Sequence, residues 1–131
     1  MKPKKILVVE DDKVSQKLIA NVLKIAGYQV CVADDAATAV KLAREENPDL
    51  ITLDVNLTVN SPGDSWDGFT VAGWLRRMNE DKEHPVIIVV SGAKPDDIIE
   101  KASAVGAYTF LPKPIEKQKL LHVAAAALQS H

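Results

Sequence analysis

The sequence predicts an α/β protein in which helices cover both faces of a five-stranded parallel sheet, a doubly wound (βα)5 arrangement. Two observations predict this class. Short aliphatic and β-branched runs recur along the chain, and each is followed by a segment whose apolar residues fall at helical spacing. The runs are almost continuously apolar, which is typical of strands buried on both faces of a parallel sheet. Strict alternation of strand and helix indicates βαβ units joined by right-handed crossovers.

The five predicted strands are short, and the third of them ends directly at Asp54. A short apolar run enclosed by charged or turn-forming residues is typical of a buried strand. The predicted strands comprise residues 6–9, 29–33, 50–53, 86–90 and 108–111.

The first predicted helix begins after Asp12, whose side chain can accept hydrogen bonds from the free N–H groups of the first turn. Gly27 stands where a C-terminal cap belongs, because glycine adopts the left-handed conformation that ends many helices. The residues at helical spacing, which we expect to face inward, are Val14, Leu18, Val22 and Ile25.

The other predicted helices show similar signals at their ends. Asp35 caps the second helix, and Asn47-Pro48 ends it, because the residue before a proline is disfavoured in a helix. Three more helices are predicted at about residues 68–78, 95–106 and 116–128. The predicted inward residues of the second and last helices are Ala36, Ala39, Val40, Ala43, Leu120, Leu121, Ala124 and Leu128.

Length and composition indicate one soluble domain covering residues 1–131, with no second domain. The chain has 131 residues, of which 47% are hydrophobic and 26% charged, and its net charge is -2. This net charge gives no electrostatic basis for binding nucleic acid or an anionic membrane. The chain has no bilayer-length apolar run, no signal-peptide core after its basic start, and a single Cys31 that cannot form an internal disulfide. We therefore expect a cytoplasmic protein.

Charged and polar residues stand at the C-terminal ends of the predicted strands, where open parallel sheets place their functional sites. They are Glu10 and Asp11 after the first strand, Asp54 after the third, Ser91 after the fourth and Lys113 after the fifth. Three carboxylates with one lysine leave excess negative charge, which a hard cation such as Mg²⁺ can neutralise. Asp54 can then attack phosphorus while Ser91 and Lys113 contact the transferred oxygens. This set predicts phosphoryl transfer onto Asp54.

The motifs that contain these residues together resemble the response regulator receiver domains of two-component signalling. They are VVEDD after the first strand, LD at the end of the third, VVSGA at the end of the fourth and LPKP after the fifth. The resemblance covers essentially the whole chain. Within the family, the chain is similar to the chemotaxis regulators. It implies a flavodoxin-like sheet with the strand order 2-1-3-4-5.

The resemblance also implies a role for each matching residue. Asp54 matches the phosphoacceptor, Lys113 the phosphoryl-contacting ammonium, and Ser91 the phosphoryl-contacting hydroxyl that takes part in switching. Phe110 falls at the position of the switch aromatic. The implied Mg²⁺ ligands are Glu10, Asp11, Asp54 and the backbone carbonyl of Asn56.

The partners and the chemical class follow from the same resemblance. A histidine kinase or histidine phosphotransfer protein would supply the phosphoryl group from a phosphohistidine, and an unknown output partner would recognise the switched surface. The domain would be a monomer or a phosphorylation-linked dimer, and it would not be an enzyme beyond assisting its own phosphorylation and dephosphorylation. Lys113–Pro114 matches a peptide bond that is commonly cis in the family. We also expect the Lys113 side chain to matter for switching more than for folding.

The sequence departs from the family pattern in the segment after Asp54. Strand-to-helix loops usually have about 2–6 residues, and this one approaches about a dozen. Its turn-forming residues, at positions 61–64, predict a surface excursion beside the site of phosphorylation. We expect the loop at about residues 58–66 to act in partner binding or access, with Trp66 either packed on the domain or in contact with a partner.

Other interpretations remain open on the sequence alone. Asp12 is a helix cap in the plainer interpretation, and Phe110 is a core residue. A degenerate receiver could bind a partner without phosphorylation. The segment DVNLT, at residues 54–58, also resembles the D-x-D-x-T motif of haloacid-dehalogenase-type phosphohydrolases, although Asn56 stands in place of their second Asp.

Overall fold

The five strands form one parallel sheet in the order β2-β1-β3-β4-β5. The structure is a computed structural model that describes residues 3–54, 85–92, 100, 102–104 and 106–129. Each predicted strand is present, and its bounds shift by one residue at most. The bounds are β1 (Lys5–Val9), β2 (Gln29–Ala33), β3 (Leu50–Asp54), β4 (Val86–Ser91) and β5 (Thr109–Pro112). The predicted fold class and strand order are confirmed.

Three helices lie fully within the described residues: α1 (Lys13–Ile25), α2 (Ala36–Glu46) and α3 (Lys117–Gln129). The predicted helix at residues 68–78 lies outside the described residues. Of the helix predicted at residues 95–106, the described residues 100 and 102–104 are helical. In the ranges that the structure describes, no helix combines the length and the apolar character that a bilayer crossing requires.

The predicted capping residues act where the sequence places them. Asp12 accepts a hydrogen bond from the backbone N–H of Ser15 at 3.0 Å, and Asp35 accepts one from the N–H of Thr38 at 2.7 Å. Asn47, with φ of 49°, adopts the left-handed conformation that ends α2. These contacts fix where α1 and α2 begin, and therefore how the segments before them leave the sheet.

Each face of the sheet carries its own apolar cluster. Side chains that alternate along β1 pack in opposite directions, because successive residues of a strand point to opposite faces. Ile6 and Val8 pack with α1 and α3, whereas Leu7 and Val9 pack with α2. The sheet is thus covered on both sides, as its continuous apolar strands predict.

The buried face of α1 differs from the predicted one. Val22 is buried, but Val14 and Ile25 are 78% and 88% exposed. The buried stripe instead follows Gln16, Ile19 and Leu23, with Ala20 and Val22 beside it. Apolar spacing alone misplaced the stripe, because Gln16 is a polar residue that packs inward and hydrogen-bonds there.

Candidate phosphoacceptor and metal site

Three carboxyl groups meet at the C-terminal edge of the sheet. β1 and β3 are neighbours, and Val9 pairs with Leu53, so Glu10 and Asp54 leave the sheet side by side. Carboxyl oxygens of Glu10, Asp11 and Asp54 all lie within 4.8 Å of one another. Glu10 and Asp54 are only 1% and 2% exposed, and Asp11 is half-buried. The parallel sheet therefore concentrates negative charge in a small, poorly hydrated volume.

Lys113 supplies positive charge to this cluster. Its Nζ atom lies 3.0 Å from Oε1 of Glu10 and 3.1 Å from Oδ2 of Asp54. Its backbone N–H donates to the carbonyl of Ser91 at 2.9 Å, which extends the pairing of β4 with β5. The Lys113–Pro114 peptide bond is cis, as the resemblance implies. The lysine thus bridges the two buried carboxyl groups directly.

Ser91 and Phe110 lie on one face of neighbouring strands. Ser91 ends β4, is fully buried and pairs with Pro112 of β5. Phe110 precedes Pro112 by two residues, so its side chain points to the same face as that of Ser91. It is half-buried and packs against the apolar cluster beneath α2. Phe110 thus lies at the margin of the core, not fully inside it.

Two features expected at this site from the sequence lie outside the described residues, and a third lies beside the site. Asn56, the expected source of a backbone carbonyl ligand, lies outside the described residues, as does the loop at residues 58–66. Asp12 stays outside the carboxyl cluster and caps α1, as expected. Within the described part of the chain, the candidate metal ligands are therefore Glu10, Asp11 and Asp54.

Burial and the neighbouring charges of the cluster change mainly the pKa of Glu10. Burial, together with the neighbouring Asp54 carboxyl, raises the pKa of Glu10 to about 7, although contact with Lys113 opposes the rise. Burial by itself lowers the pKa of Lys113, but its contacts with Glu10 and Asp54 outweigh this and the net pKa is raised. Without a further cation, one carboxyl group of the pocket is thus close to half-protonated at neutral pH.

Stability in Mg²⁺-free buffer is expected to depend on Glu10. The folded protein holds the Glu10 proton up to a pKa of about 7, whereas the unfolded chain releases it near 4.5. Between these values the folded state binds more protons, so the free energy of unfolding falls as the pH rises through this window. Across this pH window, we expect the ionisation of Glu10 to lower the free energy of unfolding by about 2 kcal/mol. This is less than the full pKa shift implies, because solvent near Lys113 screens the pocket.

The measurement is urea unfolding in EDTA at pH 5 and pH 7.5 for the wild type and Glu10→Gln. The variant is expected to gain stability relative to the wild type as the pH rises. Parallel pH profiles for the two proteins would contradict the assignment of this titration to Glu10.

The donor set fits a hard divalent cation. All three groups offer carboxyl oxygens, the ligand atoms that Mg²⁺ prefers, and one or two of them with water and phosphate would complete a usual Mg²⁺ shell. Oε2 of Glu10 is buried and has no hydrogen-bond partner among the described residues. A buried carboxyl oxygen in this condition favours a bound cation or proton. Mg²⁺ is therefore chemically suited to this pocket.

The class of protein follows from the sheet, the acidic edge and a family match. The chain matches the family model described as the response regulator receiver domain over residues 6–125. It therefore belongs to the response regulator receiver family, a class of signalling modules that act with kinases and output partners. The assignment made from the sequence motifs is confirmed.

Individual relatives agree with this class. The polar-differentiation response regulator DivK of Brucella anthropi is 31% identical over 119 residues, which is 91% of each chain. The chemotaxis response regulator CheY4 of Vibrio cholerae has a similar structure, with a TM-score of 0.83 and 25% identity over 96% of this chain and 99% of that one. The receiver domain of NtrX from Brucella abortus gives a TM-score of 0.84 and 28% identity over the same shares.

Proposed function

We propose that this protein is a Mg²⁺-dependent phosphoacceptor switch and that Asp54 is the residue phosphorylated. One observation carries the proposal. Asp54 is a buried carboxyl at the end of β3, and its neighbours are the carboxyls of Glu10 and Asp11 and the ammonium of Lys113. An anionic nucleophile surrounded by groups that hold a cation and a phosphoryl group is suited to phosphoryl transfer.

The pocket residues divide the chemistry among them. Glu10, Asp11 and Asp54 would hold Mg²⁺, and the backbone carbonyl of Asn56 is the expected further ligand. Bound Mg²⁺ would neutralise the carboxylates and the phosphoryl oxygens. The Nζ atom of Lys113 already lies 3.1 Å from Oδ2 of Asp54, so it would contact an oxygen of the transferred phosphoryl group. Ser91 would donate its hydroxyl hydrogen to a phosphoryl oxygen.

The phosphoryl group would come from a phosphohistidine of a partner histidine kinase or histidine phosphotransfer protein. A carboxylate oxygen of Asp54 attacks phosphorus, an O–P bond forms, and the N–P bond of the donor breaks. The donor nitrogen takes up the electron pair of the broken bond, and the imidazole leaves as neutral histidine because its other nitrogen carries a proton. The product is an acyl phosphate on Asp54. The domain would position these groups and assist the later hydrolysis, without turnover on a separate substrate.

Switching would use the face shared by Ser91 and Phe110. The hydroxyl of Ser91 would move toward the phosphoryl group, and Phe110, half-buried on the same face, would turn further inward. This would change the surface near β5 and α3 that an output partner recognises, as a two-state population shift. The protein would act in the cytoplasm as a monomer or a phosphorylation-linked dimer, without binding nucleic acid or membrane.

The test is mass spectrometry after incubation with a small phosphodonor such as acetyl phosphate. We expect one added phosphoryl group in Mg²⁺ and little or none in EDTA, and the adduct should be lost on base treatment, as an acyl phosphate is. A protein that gains no phosphoryl group under either condition would instead be a receiver-like binding module that acts without phosphorylation. Steady release of phosphate from unrelated phosphomonoesters would favour the phosphohydrolase alternative.

A further inference from the structure

Gln16 is a buried polar residue of α1 that connects three parts of the fold. It is 7% exposed, and its Nε2 atom donates to the backbone carbonyl of Glu10 at 2.9 Å and to Oδ1 of Asp34 at 2.6 Å. Glu10 follows β1, and Asp34 lies in the turn after β2. One amide group therefore joins the end of β1, the first turns of α1 and the β2–α2 turn.

The hydrogen bonds around Glu10 fix the backbone that carries Asp11. The N–H of Glu10 donates to the carbonyl of Ala33 at 3.0 Å, which holds the peptide plane before Glu10. Gln16 donates a hydrogen bond to the Glu10 carbonyl, which belongs to the next peptide plane, between Glu10 and Asp11. The N–H of Asp12 donates to Oε1 of Glu10 at 3.3 Å, which holds the plane after Asp11. Asp11 thus lies between two peptide planes that are both held by hydrogen bonds.

Gln16 donates to a carbonyl that regular secondary structure leaves without a donor. The Glu10 carbonyl lies where the chain leaves the sheet and has not yet entered α1, so regular secondary structure does not supply its donor. Asp34 orients the amide from the other side, and Asp34 is itself paired with Lys13 at 2.8 Å. Because side chains of a helix point toward its N-terminus, residue 16 can reach back to residue 10.

We propose that Gln16 is a positioning residue for the acidic pair, whose amide sets the backbone between Glu10 and Asp11 so that both carboxyls face Asp54. This inference rests on the proposed function, because it concerns the same Mg²⁺ site. Gln16 is not one of the candidate metal ligands. It lowers the cost of assembling the ligands by keeping the Asp11 backbone in one conformation before the ion arrives.

The experiment compares Mg²⁺ affinity with thermal stability, by isothermal titration calorimetry and thermal unfolding in 0.15 M salt. Gln16→Met keeps the size of the side chain and removes both hydrogen bonds. We expect its Mg²⁺ dissociation constant to rise about 10-fold or more, the range typical when a partner of a metal ligand is removed. The matched control is Val22→Ala, on the same helix and also 7% exposed, which removes apolar packing alone. It should lose thermal stability and keep the wild-type Mg²⁺ affinity.

A second pair of variants keeps the test decisive if Gln16→Met fails to fold. Asp34 is half-exposed, and both Asp34→Asn and Asp34→Ala remove its charge, but only Asn leaves an oxygen that can accept from Gln16. We expect Mg²⁺ affinity to be at least about 2-fold weaker in Asp34→Ala than in Asp34→Asn. Equal affinities in this pair, or a Gln16→Met affinity equal to that of Val22→Ala, would overturn the inference.

The same titration separates this inference from the proposed function. Asp11→Ala serves as the reference variant in which binding is expected to be lost. If the wild type shows no Mg²⁺ binding at all, the proposed metal site fails and the positioning role fails with it. If the wild type binds Mg²⁺, Asp11→Ala does not, and Gln16→Met binds as tightly as the wild type, only the role of Gln16 is rejected.

Discussion

Asp54→Asn is expected to abolish phosphorylation by a small phosphodonor in the presence of Mg²⁺. The amide is not a nucleophile toward phosphorus, whereas the carboxylate is. The variant should still fold, because Asn has nearly the same shape and its oxygen can still accept a hydrogen bond from Lys113. The measurement is the rate at which intact protein gains a phosphoryl group, followed by mass spectrometry.

The matched control is Asp49→Asn, which changes the same residue type just before β3, at the opposite end of that strand. Asp49 accepts from the backbone N–H of Lys5 and lies away from the carboxyl cluster, so its variant should be phosphorylated at the wild-type rate. An Asp54→Asn protein that gains a phosphoryl group as fast as this control would assign the acceptor to another residue.

Lys113→Ala is expected to destabilise the Mg²⁺-free protein strongly. The ammonium lies within 3.1 Å of both Glu10 and Asp54, which are almost completely buried. Removing one partner from a buried ion pair leaves uncompensated charge, and we expect a loss of about 3 kcal/mol at pH 8. At pH 5 the loss should be smaller, because Glu10, with a raised pKa of about 7, then carries a proton and needs no counter-charge.

This result would differ from the expectation drawn from the sequence, in which Lys113 matters for switching more than for folding. The sequence reveals a lysine after β5 but not that its Nζ atom rests between two buried carboxyls. Two roles are therefore combined in one side chain: it stabilises the resting pocket, and it is available to the phosphoryl group. Mg²⁺ should restore much of the stability lost in Lys113→Ala, because a bound cation supplies the missing positive charge.

The measurement is urea unfolding at pH 5 and pH 8, with EDTA and with Mg²⁺. Lys5→Ala is the matched control, because Lys5 pairs with Glu46 at 2.8 Å in a site that is open to solvent, where ion pairs contribute little. If Lys113→Ala unfolds like Lys5→Ala under all four conditions, the bridge between Glu10 and Asp54 has no part in stability.

The sequence by itself determined the elements of the fold that the structure describes, and it indicated most residues of the candidate site. The strands are continuous apolar runs, and α1 and α2 begin at Asp12 and Asp35, whose capping contacts span only three residues. Signals of this kind are local, so they can be read along the chain. The positions of Glu10 and Asp54 at strand ends also followed, because parallel strands present their C-terminal ends at one edge.

Only the tertiary structure decided how the site residues meet. Glu10 and Lys113 are 103 residues apart in the chain, and no local pattern specifies that their side chains form an ion pair. Gln16 was overlooked for a related reason. Apolar spacing assigned the inward face of α1 to Val14 and Ile25, which are exposed, while a glutamine took an inward position. A polar residue is buried when partners on other elements satisfy it, here the Glu10 carbonyl and Asp34, and those partners exist only once the sheet and α1 have packed.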